Sequence, residues 1–162
     1  MALTFSANEV FEIAEQIERN GAAFYRKAAD LHPTQHNKNF LLKLAAMEDD
    51  HLKIFQAMRK ALSAAEREPT SYDPMDESLM YLQTMANMHG GEGSPDVSAK
   101  LTGKESMRDI LWIAMRLETK SILFYLGMKD MVPEKLGRDK LDVIIKEEKS
   151  HIVVLSKELK TI

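Results

Sequence analysis

Cysteine is missing from this chain of 162 residues, which removes disulfide frameworks, thiolate metal sites, iron–sulfur clusters and thiol nucleophiles together. Any metal must be held by nitrogen and oxygen. Glycine and proline are scarce, at 7 and 5 residues, and they cluster between long uninterrupted segments. No run approaches the ~18 consecutive apolar residues that a membrane span needs. Met1 to Glu9 lacks a positive start followed by an apolar stretch, so no secretory signal is read there and a cytoplasmic location is expected. Neither sign of charge dominates: 22 Lys+Arg stand against 25 Asp+Glu, a formal charge of -3. Without a broad cationic field, no nucleic-acid partner is expected. What remains is a globular mix, 44% hydrophobic and 29% charged, of a size that suits one domain spanning 1–162.

The uninterrupted segments follow a helical period. Ser6 and Glu9 form a capping-box pattern, after which Val10, Ile13, Ala14, Ile17, Phe24 and Ala28 recur at three-to-four spacing. A helix over about residues 7–30 is predicted. His32-Pro33-Thr34 interrupts it. A second helix is expected over about 37–62, with Phe40, Leu41, Leu44, Met47, His51, Ile54, Phe55 and Met58 inward. Thr102 with Glu105 offers another capping box, opening a third helix to about Met128. Pro133 suits a first turn, and Leu141, Ile144, Ile145, Ile152 and Leu155 mark a fourth helix ending near Lys160. No segment alternates with the period of two that marks a half-buried strand.

Between the hairpins, about 6–62 and 105–160, lies a connector of about 66–103. In it, Asp73-Pro74 followed by Met75, Leu79, Leu82 and Met85, then Gly90-Gly91, predicts a short fifth helix. A connection that long lets the second and third helices run parallel, whereas the short loops enforce antiparallel hairpins. The expected architecture is all-α: a four-helix bundle of two hairpins joined by a crossover. The connector could exchange hairpins between two subunits, so a homodimer is expected.

The hairpins superpose at a constant offset of 100: Glu18 falls on Glu118, Phe24-Tyr25 on Phe124-Tyr125, Glu48 on Glu148 and His51 on His151. Duplication alone would explain the match. The matched polar residues, however, lie on faces that should be buried. Glu48 and His51 are three apart and share a helix face, as do Glu148 and His151. Four buried carboxylates facing one another would repel strongly. Two divalent cations would balance them, and two Glu plus two Glu-x-x-His motifs on four helices is the ligand set of dinuclear carboxylate bundles. Glu147 competes with Glu148, being four before His151, but the offset selects Glu148 and puts Met47 opposite Glu147. A ligating His usually gives its second N–H to a carboxylate or carbonyl, so Glu147 is expected to reach across to His51. Met47 cannot do the same for His151, which predicts two unequal metal positions. Tyr25 and Tyr125 are expected beside the ligands, with a core tyrosine whose hydroxyl merely finds a partner as the even alternative.

The stretch Ala14 to Ala29, with Glu48-Asp49-Asp50-His51, Glu118, Phe124-Tyr125 and Glu148-Lys149-Ser150-His151, resembles the rubrerythrin branch of the ferritin-like superfamily. The resemblance spans both hairpins but not the connector. It implies that Glu48 and Glu148 bridge or chelate two metal ions, that Glu18 and Glu118 are terminal ligands, and that His51 and His151 each supply a nitrogen. Iron is the metal it implies first, though the same donors accept manganese or zinc. It implies dioxygen or peroxide as the reaction partner, with iron handling or a structural zinc site as alternatives. Two features differ from the branch. Ser121 stands where rubrerythrins typically carry a further Glu, and this sequence has no cysteine-rich electron-delivery domain, so an electron donor is expected to be a separate protein, or turnover to be oxidative only. His32, His36 and His89 are expected to be solvated, and Trp112 to anchor the core or a dimer interface.

Overall fold

The apolar stripes fold into four long helices in the computed structural model, which describes residues 6–68, 77, 80–81, 84, 96–132, 134–136 and 138–162. The first, α1, is Ala7–Leu31, and α2 is Gln35–Lys60. Two short helices follow, α3 at Ala64–Arg67 and α4 at Asp96–Ala99. The second hairpin is α5, Met107–Met131, and α6, Asp139–Leu159, separated by a 3-10 turn at Glu134–Leu136. There is no strand among the described residues.

Helix starts are set by side-chain oxygens on free backbone N–H groups. Ser6 and Glu9 cap α1 reciprocally, the Ser6 N–H donating to Glu9 Oε2 at 2.7 Å and the Glu9 N–H to Ser6 Oγ at 3.3 Å. The start of α5 differs from the sequence expectation. Thr102 does donate to Glu105, but the chain turns there, with Gly103 at φ 81°, a left-handed conformation that favours glycine. The capping box that opens α5 is the next one along, Ser106 with Asp109. Ser106→Ala should therefore cost about 1 kcal/mol and lower Tm by about 2–4 °C, while Thr102→Ala has the smaller effect in the same thermal melts.

Other boundaries move slightly. α2 begins at Gln35 and ends at Lys60 rather than spanning 37–62, although Leu62 stays buried beyond the helix. α5 runs on to Met131. Pro133 lies outside the described residues, and α6 starts only at Asp139. Ile54, expected inward, is exposed, because the inward stripe of α2 follows Leu44, Glu48, His51 and Phe55. Ser63 and Glu66 form a capping box for α3, a short helix just before the expected connector that the apolar spacing does not predict. Most of the expected connector helix, including Met75, Leu79, Leu82 and Met85, lies outside the described residues, as does His89. His32 is buried rather than solvated: it closes α1, its N–H donating to Ala28 O at 3.0 Å, and its ring lies 3.2 Å from Asn37 Nδ2. Trp112 is half exposed, which removes it from the core.

Two apolar layers give the packing directions. One joins the start of α1 (Val10, Phe11, Ala14), the end of α2 (Phe55), the end of α5 (Tyr125, Met128) and the start of α6 (Leu141, Ile144). The other joins the end of α1 (Phe24, Ala28), the start of α2 (Leu41, Leu44), the start of α5 (Ile110, Leu111) and the end of α6 (Leu155). Hence α1 is antiparallel to both α2 and α5, and α2 runs parallel to α5, as a long crossover requires. Glu18, Glu48, Glu118 and Glu148 lie between the layers in every helix.

Candidate metal centre

Each long helix sends polar groups into the gap between its two apolar stretches. Glu18 comes from α1, Glu48 and His51 from α2, Glu118 from α5, and Glu148 and His151 from α6. All four carboxylates are fully buried, and the two histidines nearly so. Three overlapping trios form: Glu48 with His51 and His151, Glu18 with His51 and Glu148, and Glu118 with Glu148 and His151. Within each, potential ligand atoms lie within 4.8 Å of one another. The structure thus brings the six residues into one cluster.

The imidazoles stack face to face, with centroids 4.3 Å apart and planes 9° from parallel. His151 Nδ1 lies 3.1 Å from Glu118 Oε1 and 3.2 Å from Glu48 Oε1. His51 Nδ1 lies 3.7 Å from Glu18 Oε2. Both Nδ1 atoms therefore face carboxylates of the cluster. His51 Nε2 meets Glu147 Oε2 at 3.3 Å. His151 Nε2 is buried with no hydrogen-bond partner.

Tyr25 donates its hydroxyl to Glu118 Oε1 at 3.2 Å, joining α1 to α5 across the seam between hairpins. Tyr125 is fully buried at the equivalent place in the repeat. Each tyrosine ring meets the preceding phenylalanine edge-on, at 5.3 Å for Phe24 and 5.4 Å for Phe124. Phe24 is buried and Phe124 partly so. Ser121, one turn after Glu118, is also buried, and its hydroxyl has no hydrogen-bond partner. The repeat has Gly21 there, so the offset alone gives this hydroxyl no counterpart and no role.

The electrostatics distinguish this cluster from an ordinary buried ion pair. Glu15, one turn before Glu18, is also buried, but Arg19 stands 3.0 Å and Arg59 3.4 Å from its oxygens. Sequence periodicity missed that pairing, because Arg59 arrives from the far end of α2. Among the described residues no lysine or arginine pairs with Glu18 or Glu148; their carboxyls face one another and those of Glu48 and Glu118, and no nitrogen or hydroxyl donates to their oxygens. Burial first, then the charge of Glu148, holds the Glu18 carboxyl well above the usual range. Burial and the charge of Glu118 do the same to Glu148. The histidines move the other way. Burial, then the neighbouring His151, lowers His51 from 6.5 to about 4, and burial lowers His151.

Buried groups without partners are rare in folded proteins and need a physical reason. A divalent cation supplies one: it replaces missing donors, relieves the repulsion and accepts neutral imidazole nitrogen with carboxylate oxygen. The donor set therefore fits two such cations, with Glu18, Glu48, Glu118, Glu148, His51 and His151 as the groups that would hold them.

A crystal structure described as that of a ferritin-like diiron-carboxylate protein from Thermotoga maritima has the same fold. It superposes with a TM-score of 0.63 over 99% of this chain and 98% of the other, at 19% sequence identity. No family model matches the chain, and no curated protein matches it in sequence.

Proposed function

We propose that this ferritin-like bundle is a dinuclear metal oxidoreductase, with iron as the resident metal and peroxide or dioxygen as the oxidant, akin to the rubrerythrin branch. The observation that carries the reading is the set of buried Glu18 and Glu148 carboxyls with no donor, placed among two more carboxylates and two stacked imidazoles. Two ferrous ions bound there would each supply one electron, the pair that an oxygen–oxygen bond needs for reduction.

This chain's own groups prepare that chemistry. The six side chains place four carboxyls and two neutral imidazoles in a gap closed by apolar layers on either side, which keeps water away. The Tyr25 hydroxyl fixes Glu118 and keeps a proton beside it. Electrons for repeated turnover would come from a separate donor protein, since the chain has no cysteine to hold an iron–sulfur or similar thiolate centre of its own. The proposed setting is a cytoplasmic homodimer that binds neither nucleic acid nor membrane. No helix among the described residues is long and apolar enough to cross a membrane.

Ser121 favours a second reading, a ferroxidase or iron-handling protein that does not form a shell, since no carboxylate stands at the position where rubrerythrins add one. Anaerobic loading with Fe(II), metal analysis and addition of hydrogen peroxide separate the two. The oxidoreductase should bind about two irons per chain and consume peroxide repeatedly when a chemical reductant is present. A single oxidation with iron retained would select iron handling. Retention of zinc through the same treatment would select a structural site.

A further inference from the structure

The Nε2 atoms of the two stacked histidines meet different surroundings, although the repeat makes the rings equivalent. His51 Nε2 is 3.3 Å from the Glu147 carboxylate, which is one-third exposed, with a side-chain accessibility of 33%. His151 Nε2 is buried and has no partner. At the position equivalent to Glu147 the repeat carries Met47, whose thioether is at best a weak acceptor.

A histidine that binds a cation through Nδ1 carries its proton on Nε2. For His51 that proton faces a carboxylate, which fixes the tautomer, steadies the ring and raises the basicity of Nδ1. For His151 the same proton has no acceptor, so that tautomer is disfavoured by an unmet hydrogen bond. Glu147 lies beside Glu148 in sequence but sets its carboxylate against the Nε2 of His51 on α2, whereas on His151 it acts only through its charge, at longer range.

We infer that Glu147 is a positioning residue that acts through His51 and makes the two metal positions unequal, the one served by His51 being the tighter. This rests on the proposed dinuclear centre. A metal already seated beside His51 would also help to order the shared carboxylates for the second.

Anaerobic titration with Co(II), followed by calorimetry and visible absorption, tests it without any turnover. The unaltered protein should take up two Co(II) in steps that differ at least about tenfold. Glu147→Leu should weaken the first step about 10–100-fold and leave the second nearly unchanged, so that the steps merge. Glu147→Gln, which keeps an acceptor but not the charge, should fall between. Met47→Glu should strengthen the second step. Thermal melts of the metal-free variants establish that each still folds. Two equal steps unaffected by Glu147→Leu, or equal weakening of both, would overturn the inference while leaving the dinuclear centre intact. Uptake of no Co(II) by the unaltered protein would overturn both.

Discussion

Glu148→Gln should make the metal-free protein more stable and the metal-binding protein useless. The carboxyl is completely buried, and its neighbours include the carboxyls of Glu18 and Glu118. At neutral pH the fold must either keep a proton on it or bury an unpaired charge, and both cost stability. An amide of nearly the same shape removes the charge and adds two donors for those neighbours. A gain of about 1–3 kcal/mol is expected at pH 8, read as a rise in Tm of about 2–4 °C per kcal/mol. Metal affinity should fall by more than about 100-fold, beyond the usual effect of losing a group behind a ligand. Glu48→Ala with Glu148→Ala should abolish binding of both ions, and unchanged metal content in that double variant would sink the dinuclear reading. Glu15→Gln is the internal control. It is buried one turn away but paired with Arg19 and Arg59, so its neutralisation should destabilise the protein and spare metal content.

Raising the pH should drive the metal-free and metal-loaded melting temperatures apart. Glu18 and Glu148 have folded-state pKa values above the ordinary 4.5. Their contribution to stability is therefore complete below about pH 4.5 and is lost as pH rises towards the folded values. His51 has the opposite sign, being lowered from 6.5 to about 4. Its contribution is complete above 6.5 and is lost as pH falls from 6.5 towards 4. Between 4.5 and 6.5 the two oppose each other; above 6.5 the histidine contribution is complete, and the carboxyl contribution falls as pH rises towards the raised folded values, so the metal-free protein should melt lower over that range. Loaded protein should behave differently, since bound cations need deprotonated carboxyls and neutral imidazoles. With free metal at 1,000 times the dissociation constant, binding adds about 4 kcal/mol, or roughly 8–16 °C in Tm. Calorimetric scans between pH 6.5 and 8.5 with and without Mn(II) measure the gap. A gap that narrows with pH would contradict the assigned protonation states.

The bundle was legible because its information is local and repeated. Spacing of apolar residues at three and four marks α1, α2, α5 and α6, and the length of the connector sets the parallel pairing of α2 with α5. The polar cluster was legible for another reason: the offset of 100 picks the same two Glu and one His from each hairpin, and helical spacing puts them on interior faces. What escaped depends on contacts that no spacing encodes. Thr102/Glu105 and Ser106/Asp109 are equally good capping patterns, and only the turn at Gly103 decides between them. His32 looks like a loop residue until the end of α1 tucks it against α2. The Arg59 contact with Glu15 needs the antiparallel register of the hairpin. The contact of Glu147 with His51 was reachable because His51 is a predicted ligand and Glu147 sits beside another.

Neither apolar layer is complete within one hairpin, and neither is the cluster between them. During synthesis at about 5–20 residues per second, Glu18, Glu48 and His51 leave the ribosome roughly 100 residues ahead of their counterparts in the second hairpin. For some 5–20 s the first hairpin presents half a site, its carboxylates still hydrated and its apolar face uncovered. A cation met then would find only three of six donors and no dry gap to hold it. A centre of the proposed kind is therefore complete only once the second hairpin docks on the first.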